Sequence, residues 1–212
     1  MTLALLLAGL TVFEADRVIV GDGSVVEDAL LVARDGVIES VGPKGTSSFP
    51  RDASRVSLAE KTVMPLLIDI HGHIGYLRDG VFAASHYGTE NILDQLRMLE
   101  SFGVGAFLSH KAGIPIALGG DTGIPTRFVG YNEHLELQAL VDAGLSPLEA
   151  ITAGTKVGAE ILGLDDLGTL SPWKSADFLV LDASPLENVA NTTKIGAVYR
   201  KGQPLTLPTP SW

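Results

Sequence analysis

VMPLLIDIHGHIGY, residues 63–76, joins an apolar run to a His-Gly-His triplet. Such a run, with a proline near its start, predicts one strand buried on both faces, as in parallel α/β sheets. Side chains alternate along a strand, so Asp69, His71 and His73 are expected on one side at its carboxyl end. Two imidazoles this close together predict a site for a divalent transition metal. The alternative is that two histidines fall near a strand end by chance.

Composition limits the kind of protein and the kind of metal site. The 212 residues suffice for one large or two small domains, and 46% hydrophobic against 19% charged residues indicates a well-buried globular chain. A net charge of −10 without a lysine or arginine cluster argues against nucleic-acid binding. Because there is no cysteine, disulfides and thiolate ligands are excluded, and any metal must be held by nitrogen and oxygen.

The opening MTLALLLAGL is apolar from Leu3 to Leu10, with no basic residue before it and no clear cleavage site. It is too short to span a membrane. A first buried strand and a trimmed signal peptide both fit, and the strand is preferred. We therefore expect a cytoplasmic protein that does not bind membranes, with secretion as the alternative.

Residues 11–57 have the pattern of short strands separated by turns. Asp35-Gly36 lies between two apolar runs and predicts a β-hairpin. The range 43–57 is rich in serine, proline and basic residues, which predicts an exposed connection to the organising strand. This part of the chain is therefore expected to form a small antiparallel β module.

The centre of the chain predicts a helix and a second buried strand. Thr89 can cap a helix that Gly103 ends, with an apolar stripe made of Ile92, Leu93, Leu96 and Leu99. IPIALGGDTGIP then places Asp121 at a strand's carboxyl end, the edge where parallel α/β folds assemble their sites. Gly119-Gly120 could cradle a phosphate, but close backbone approach explains the pair better because P-loop and dinucleotide spacings are missing.

The last third returns from helices to strands. Two helices are predicted between Asn132 and Leu164, and Ser146-Pro147-Leu148-Glu149 is a capping box with proline in the first turn. ADFLVLDAS and IGAVYRKGQPL resume the β pattern, with a turn at Lys201-Gly202. The order β, α/β, β predicts a small sandwich, built from both chain ends, around a central α/β part.

Four segments in this order resemble the metal-dependent amidohydrolase superfamily, in particular its imidazolonepropionase-like and Xaa-Pro-dipeptidase-like branch. VMPLLIDIHGHIG resembles the first barrel strand with its HxH ligands, and IPIALGGDTG the eighth strand with its metal-binding aspartate. LSPLEAITAGTKVGAEILGL resembles the helix that follows, and DLGTLSPWKSADFLVLDASPL the return to the β-sandwich.

The resemblance implies an α/β fold, with a (β/α)8 TIM barrel of the amidohydrolase type beside a composite β-sandwich. Residues 1–62 and 165–212 would form the sandwich, and 63–164 a shortened barrel segment. The barrel would be partial, because only 48 residues separate His73 from Asp121 whereas a full barrel takes about 250. A bridging lysine and two further histidines of the family have no counterpart, and Lys111 precedes a strand instead of ending one.

The resemblance also implies hydrolysis of amide or other C–N bonds by metal-activated water. His71, His73 and Asp121 would bind the metal, and Asp121 would also be the catalytic proton shuttle. Zinc is the expected ion, as one or two per chain. Tyr76 and His86 are weaker candidates for contact with a small-molecule amide or dipeptide-like substrate.

His110 and His134 are expected on helix surfaces or as caps. A barrel remnant would have unpaired strand edges, which predicts a homo-oligomer. The first competing hypothesis is a catalytically silent, shortened relative that serves as a binding or assembly module. The second, a sugar or nucleotide binder, rests only on the glycines.

Overall fold

The computed structural model describes residues 9–46, 49, 53–71, 76–86, 88–107, 117–125, 128–142 and 144–206. Its strands are β1 (Leu10–Ile19), β2 (Val25–Arg34), β3 (Val37–Pro43), β4 (Ser54–Pro65), β5 (Leu67–Asp69), β6 (Leu77–Arg78), β7 (Val81–Phe82), β8 (Val104–Phe107), β9 (Phe178–Leu181), β10 (Ile195–Arg200) and β11 (Gln203–Pro204). The predicted N-terminal strand or signal lies mostly outside the described residues, and β1 begins at Leu10.

The helices alternate with the shorter strands. The α-helices are α1 (Thr89–Ser101), α2 (Tyr131–Asp142), α3 (Pro147–Thr152) and α4 (Gly158–Leu162). A π-helical turn, Ala153–Val157, joins α3 to α4, and short 3-10 helices cover Ala84–His86 and Val189–Thr193. No helix in the described part of the chain is long and apolar enough to cross a membrane.

Strands from both chain ends form one seven-stranded sheet, in the order β11-β10-β9-β4-β1-β2-β3. β1 pairs parallel with β4, and the other neighbours pair antiparallel. β4 against β9 joins the two ends, with Val63 opposite Val180. The junction is covered by packed aromatic rings: Phe13, Phe178 and Tyr199 have centroids 4.8–5.2 Å apart, and both phenylalanines are buried.

The apolar run of the opening segment is split between two sheets, so the prediction of a single strand there was wrong. β4 ends at Pro65 in the large sheet, and β5 begins at Leu67 in a separate parallel pair with β8. The prediction that this run is buried is confirmed, since Val63, Met64 and Leu67 are fully buried. The predicted exposed connection over 43–57 was too long, because its end, from Ser54, already belongs to β4.

The short parallel pair is extended by one residue of the segment predicted as a second buried strand. Asp69 of β5 forms a parallel bridge with Leu118, and Ile70 N donates to Leu118 O at 2.9 Å. The helical run α3–π–α4 packs on these strands through glycines. A Cβ on Gly154 would come within 2.7 Å of Leu118, and one on Gly158 within 3.0 Å of Ile68.

Two local predictions from turn and cap chemistry are confirmed. Asp35 and Gly36 both have positive φ, 54° and 83°, in the turn between β2 and β3. Ser146 and Glu149 form the reciprocal capping box at the start of α3. The apolar stripe of α1 is only partly confirmed. Leu99 is buried, whereas Leu93 is 45% exposed.

Candidate metal centre

Two segments far apart in sequence run side by side beyond the end of β5. After the Asp69–Leu118 bridge, Asp121 N donates to His71 O at 3.0 Å. Because this pairing continues past the strand, it brings together residues 50 positions apart. The site is therefore built at the carboxyl edge of parallel strands, as the sequence predicted.

His71 and Asp121 meet at this edge. His71 Nε2 lies 3.1 Å from Asp121 Oδ1, and the two side chains are 39% and 33% exposed, so the pair is open to solvent. Asp121 has a φ of 49°, in the left-handed region that is costly for a residue with a side chain. Surrounding contacts must therefore hold this backbone in place.

A buried aspartate lies directly beneath the pair. Asp69 is fully buried, and its Oδ1 accepts from His71 N at 2.9 Å and from Gly120 N at 3.3 Å. One carboxylate oxygen thus joins the backbones of both segments. That Asp69 shares one side of the strand with His71 and His73 stays a prediction, and the sequence assigned no role to Asp69.

Two glutamates of α2 approach the same turn. Glu136 accepts from Gly119 N with both oxygens, at 3.0 and 2.9 Å. Glu133 is fully buried, and its Oε1 accepts from Thr122 Oγ1 at 3.1 Å. Sequence reasoning missed both glutamates, and the one available signal was their spacing of three, which puts them on one helix face.

Burial changes the protonation of the deepest carboxyl groups. Burial, with the charge of Glu133 adding to it, raises the pKa of Asp69 to about 9. Burial also raises the pKa of Glu133, while hydrogen bonds from Asp69 and Thr122 oppose that rise. Among the described residues, Asp69 Oδ2 and Glu133 Oε2 have no hydrogen-bond partner in the structure. A proton carried by Asp69 and donated to Glu133 gives both groups a partner, so Asp69 is the neutral member near pH 7.

The pair of donors suits a divalent ion. Two ligands about 2.0–2.1 Å from one tetrahedral ion lie about 3.3 Å apart, close to the separation of His71 Nε2 and Asp121 Oδ1. An imidazole nitrogen and a carboxylate oxygen are also the donor types that zinc takes. Within the described residues, no group of three or more histidine, aspartate or glutamate side chains is arranged as a metal site. His73, the third predicted ligand, lies outside those residues.

The remaining histidines and Tyr76 have other surroundings. The Tyr76 ring stacks on Phe82 at 5.4 Å, and His86 Nδ1 lies 3.0 Å from Val81 O, so both contact the β6–β7 hairpin. Their part in substrate binding stays a prediction. His134 is only 2% exposed, which overturns its predicted surface or capping role. His110 and Lys111 lie outside the described residues.

Several solved structures share this fold. A putative prolidase from Bifidobacterium longum superposes with a TM-score of 0.70 at 18% identity, covering 97% of this chain and 96% of that one. A Xaa-Pro dipeptidase with bound methionine gives a TM-score of 0.71 at 12% identity, covering 92% and 99%. At these identities the likeness is one of fold.

Sequence comparison identifies the family. The model of the amidohydrolase family matches residues 84–205, more than half of the chain. Imidazolonepropionase from Rhodococcus jostii (strain RHA1) is 30% identical over 186 residues, covering 76% of this chain and 43% of the relative. The chain belongs to the amidohydrolase family. It spans less than half the length of that relative.

Proposed function

We propose that this chain hydrolyses amide or other C–N bonds with metal-activated water. The observation that carries the proposal is the 3.1 Å approach of His71 Nε2 to Asp121 Oδ1 at the carboxyl edge of parallel strands. Family membership supports it, and two of the relatives are named as deaminases, whose chemistry breaks a C–N bond.

The proposed roles follow from the donor types. His71, His73 and Asp121 bind a divalent ion, with zinc expected at one or two per chain. An ion held there would lower the pKa of its bound water and polarise the scissile carbonyl. Asp121 is half-buried and keeps one face toward solvent. Its carboxylate therefore takes the proton of the attacking water and passes it to the leaving nitrogen.

The proposed scaffold is a partial (β/α)8 barrel within residues 63–164, the first three of which complete β4 of the large sheet, beside a composite sandwich formed by 1–62 and 165–212. Support comes from the parallel pairing of β5 with β8 and from the sheet shared by both chain ends. In the described part of the chain β8 pairs only with β5. An uncovered edge of this kind favours association, so we also propose a homo-oligomer.

The proposed substrate is a small amide or dipeptide-like molecule. The relatives are named for a cyclic imidazolone substrate and for Xaa-Pro dipeptides, and both classes place a C–N bond next to a polarisable carbonyl. Tyr76 and His86 are proposed to contact the substrate from the β6–β7 side. The cytoplasmic location stays a prediction.

The deciding experiment measures metal content and hydrolysis on the same size-fractionated protein. Mass spectrometry of the wild type should find about one zinc or similar ion per chain. His71→Ala and Asp121→Ala should lose the ion and any activity on Xaa-Pro dipeptides, N-acyl amino acids or cyclic amides. Asp94→Ala, an exposed α1 carboxylate paired with Arg97, is the matched control and should retain both.

A wild-type chain without metal above background, or an Asp121→Ala variant with full activity, would refute the proposal. Metal binding without hydrolysis of any of the three substrate classes would favour the silent binding or assembly module.

A further inference from the structure

The turn that carries Asp121 is held residue by residue. Gly119 N donates to Glu136, Gly120 N to Asp69, and Asp121 N to His71 O. The Thr122 hydroxyl then donates to Glu133. Four consecutive residues thus each have a partner on β5, on the residues just after it, or on α2. A residue with a side chain and left-handed backbone angles, such as Asp121, needs several such contacts to hold it in place.

Glu136 makes the closest contact between α2 and this turn. Both of its oxygens lie within 3.0 Å of Gly119 N, a charge-assisted hydrogen bond. A Cβ on Gly120 would come within 3.5 Å of Glu136 Oε2, and one on Gly119 within 3.4 Å of His71 Cβ. These are ordinary van der Waals distances, so the glycine pair lies in contact range of both Glu136 and His71.

The helix that presents Glu136 is itself firmly anchored. Leu137 is fully buried, and His134 is 2% exposed, with Nε2 bonded to Phe102 O at 2.9 Å. Glu133, one turn before Glu136, holds Thr122 on the other side of Asp121. Through these two glutamates, α2 binds the chain both before and after Asp121, whose carboxylate lies next to His71.

We propose that Glu136 is a positioning residue, which sets the approach of Asp121 to His71 through the Gly119 amide. The inference rests on the proposed function insofar as those two side chains share a metal ion. Glu136 accepts from Gly119 N. It fixes the backbone from which one ligand projects, and an outer partner of this kind typically contributes 10–100-fold to metal affinity.

The test is a graded series measured with Zn²⁺ alone. Zinc affinity, from competition with a chelating dye, should fall about 10–100-fold in Glu136→Ala. The zinc affinity of Glu136→Gln should lie between those of Glu136→Ala and the wild type, because the glutamine amide oxygen can still accept one bond from Gly119 N. Glu160→Gln, an exposed α4 glutamate, is the control and should bind as the wild type does. The Co²⁺ absorption spectrum should change in the same order.

A second measurement separates this inference from the proposed function. In crystals of metal-free Glu136→Ala, the distance from His71 Nε2 to Asp121 Oδ1 should grow by about 1 Å or more, a displacement large enough to impair chemistry. Equal zinc affinity in wild type and Glu136→Ala would overturn the positioning role. If the wild type binds no zinc, the proposed function fails, and the metal-free structures decide: an unmoved Asp121 overturns this inference as well.

Discussion

His134 should contribute a loss of stability in mild acid. Its ring is almost completely buried on α2, with Nε2 2.9 Å from Phe102 O and Nδ1 3.0 Å from Thr192 Oγ1. Nε2–H donates to the Phe102 carbonyl, and the Thr192 hydroxyl already donates to Val189 O at 2.9 Å, so the neutral ring is favoured by burial and not by the Thr192 contact. Burial lowers the pKa of His134 to about 4, against 6.5 for an exposed histidine.

The size of the effect follows from that difference. Between pH 6.5 and 4 the unfolded chain binds a proton at His134 and the folded chain does not. The contribution of His134 to the free energy of unfolding is therefore fully present above pH 6.5 and is lost as the pH falls. The full loss is about 3 kcal/mol, and about 2 kcal/mol is already lost at pH 5. Asp69 acts in the opposite direction, because its raised pKa favours the folded state at lower pH. The histidine must therefore be isolated by substitution.

The assay is urea unfolding at pH 8 and pH 5 of wild type, His134→Gln and Thr192→Val. Glutamine does not titrate here and can still donate to Phe102 O, so His134→Gln should lose about 2 kcal/mol less than wild type between the two pH values. Thr192→Val removes a hydrogen-bond partner and keeps the imidazole, so its free energy of unfolding should be lower throughout and retain the acid sensitivity. Free energies of wild type and His134→Gln that run parallel from pH 8 to pH 5 would refute the reasoning.

Two substitutions test the backbone. Trp173 has a φ of 72° and is 86% exposed. Trp173→Gly should relieve about 1–2 kcal/mol of left-handed backbone strain and cost about 0.5–1 kcal/mol of chain entropy. Chemical denaturation should therefore show a small net stabilisation. Gly103 has a φ of 73°, and a Cβ there would come within 2.2 Å of the buried Leu179. Because Gly103→Ala adds both backbone strain and overpacking, it should lower the free energy of unfolding by roughly 2–5 kcal/mol. Gly45→Ala, with positive φ and open space, should lose only the smaller strain cost, and equal losses at the two glycines would contradict the packing argument.

Local chemistry explains which parts of the structure were predictable from sequence. The Asp35-Gly36 turn and the Ser146–Glu149 capping box each depend on residues within four positions, and both form as predicted. The meeting of His71 with Asp121 was predictable for a different reason. Carboxyl ends of parallel strands share one edge of a sheet, so two strands each ending in a ligand-type side chain bring those side chains together.

The failures involve partners that are remote in sequence. His134 was expected at the surface because a histidine near a helix start is usually solvated, but its partners Phe102 and Thr192 lie 32 and 58 positions away. Glu136 was missed because it binds a backbone amide, which no side-chain pattern reveals. The early end of the first site strand was missed too, since an apolar run buried in two sheets has the same composition as one buried in a single sheet.

The division of that apolar run couples the large sheet to the site. A single residue, Leu66, separates β4 from β5, so the strand that leads to His71 leaves directly from the sheet. The first bond of the site strand, Leu67 N to Gly103 O at 2.8 Å, is made to the glycine that packs without clearance on Leu179 of β9. The start of β8 therefore packs directly on the large sheet, and β5 pairs with β8. It follows that Gly103→Ala should disturb the approach of His71 to Asp121 as well as the core, although it lies outside the site.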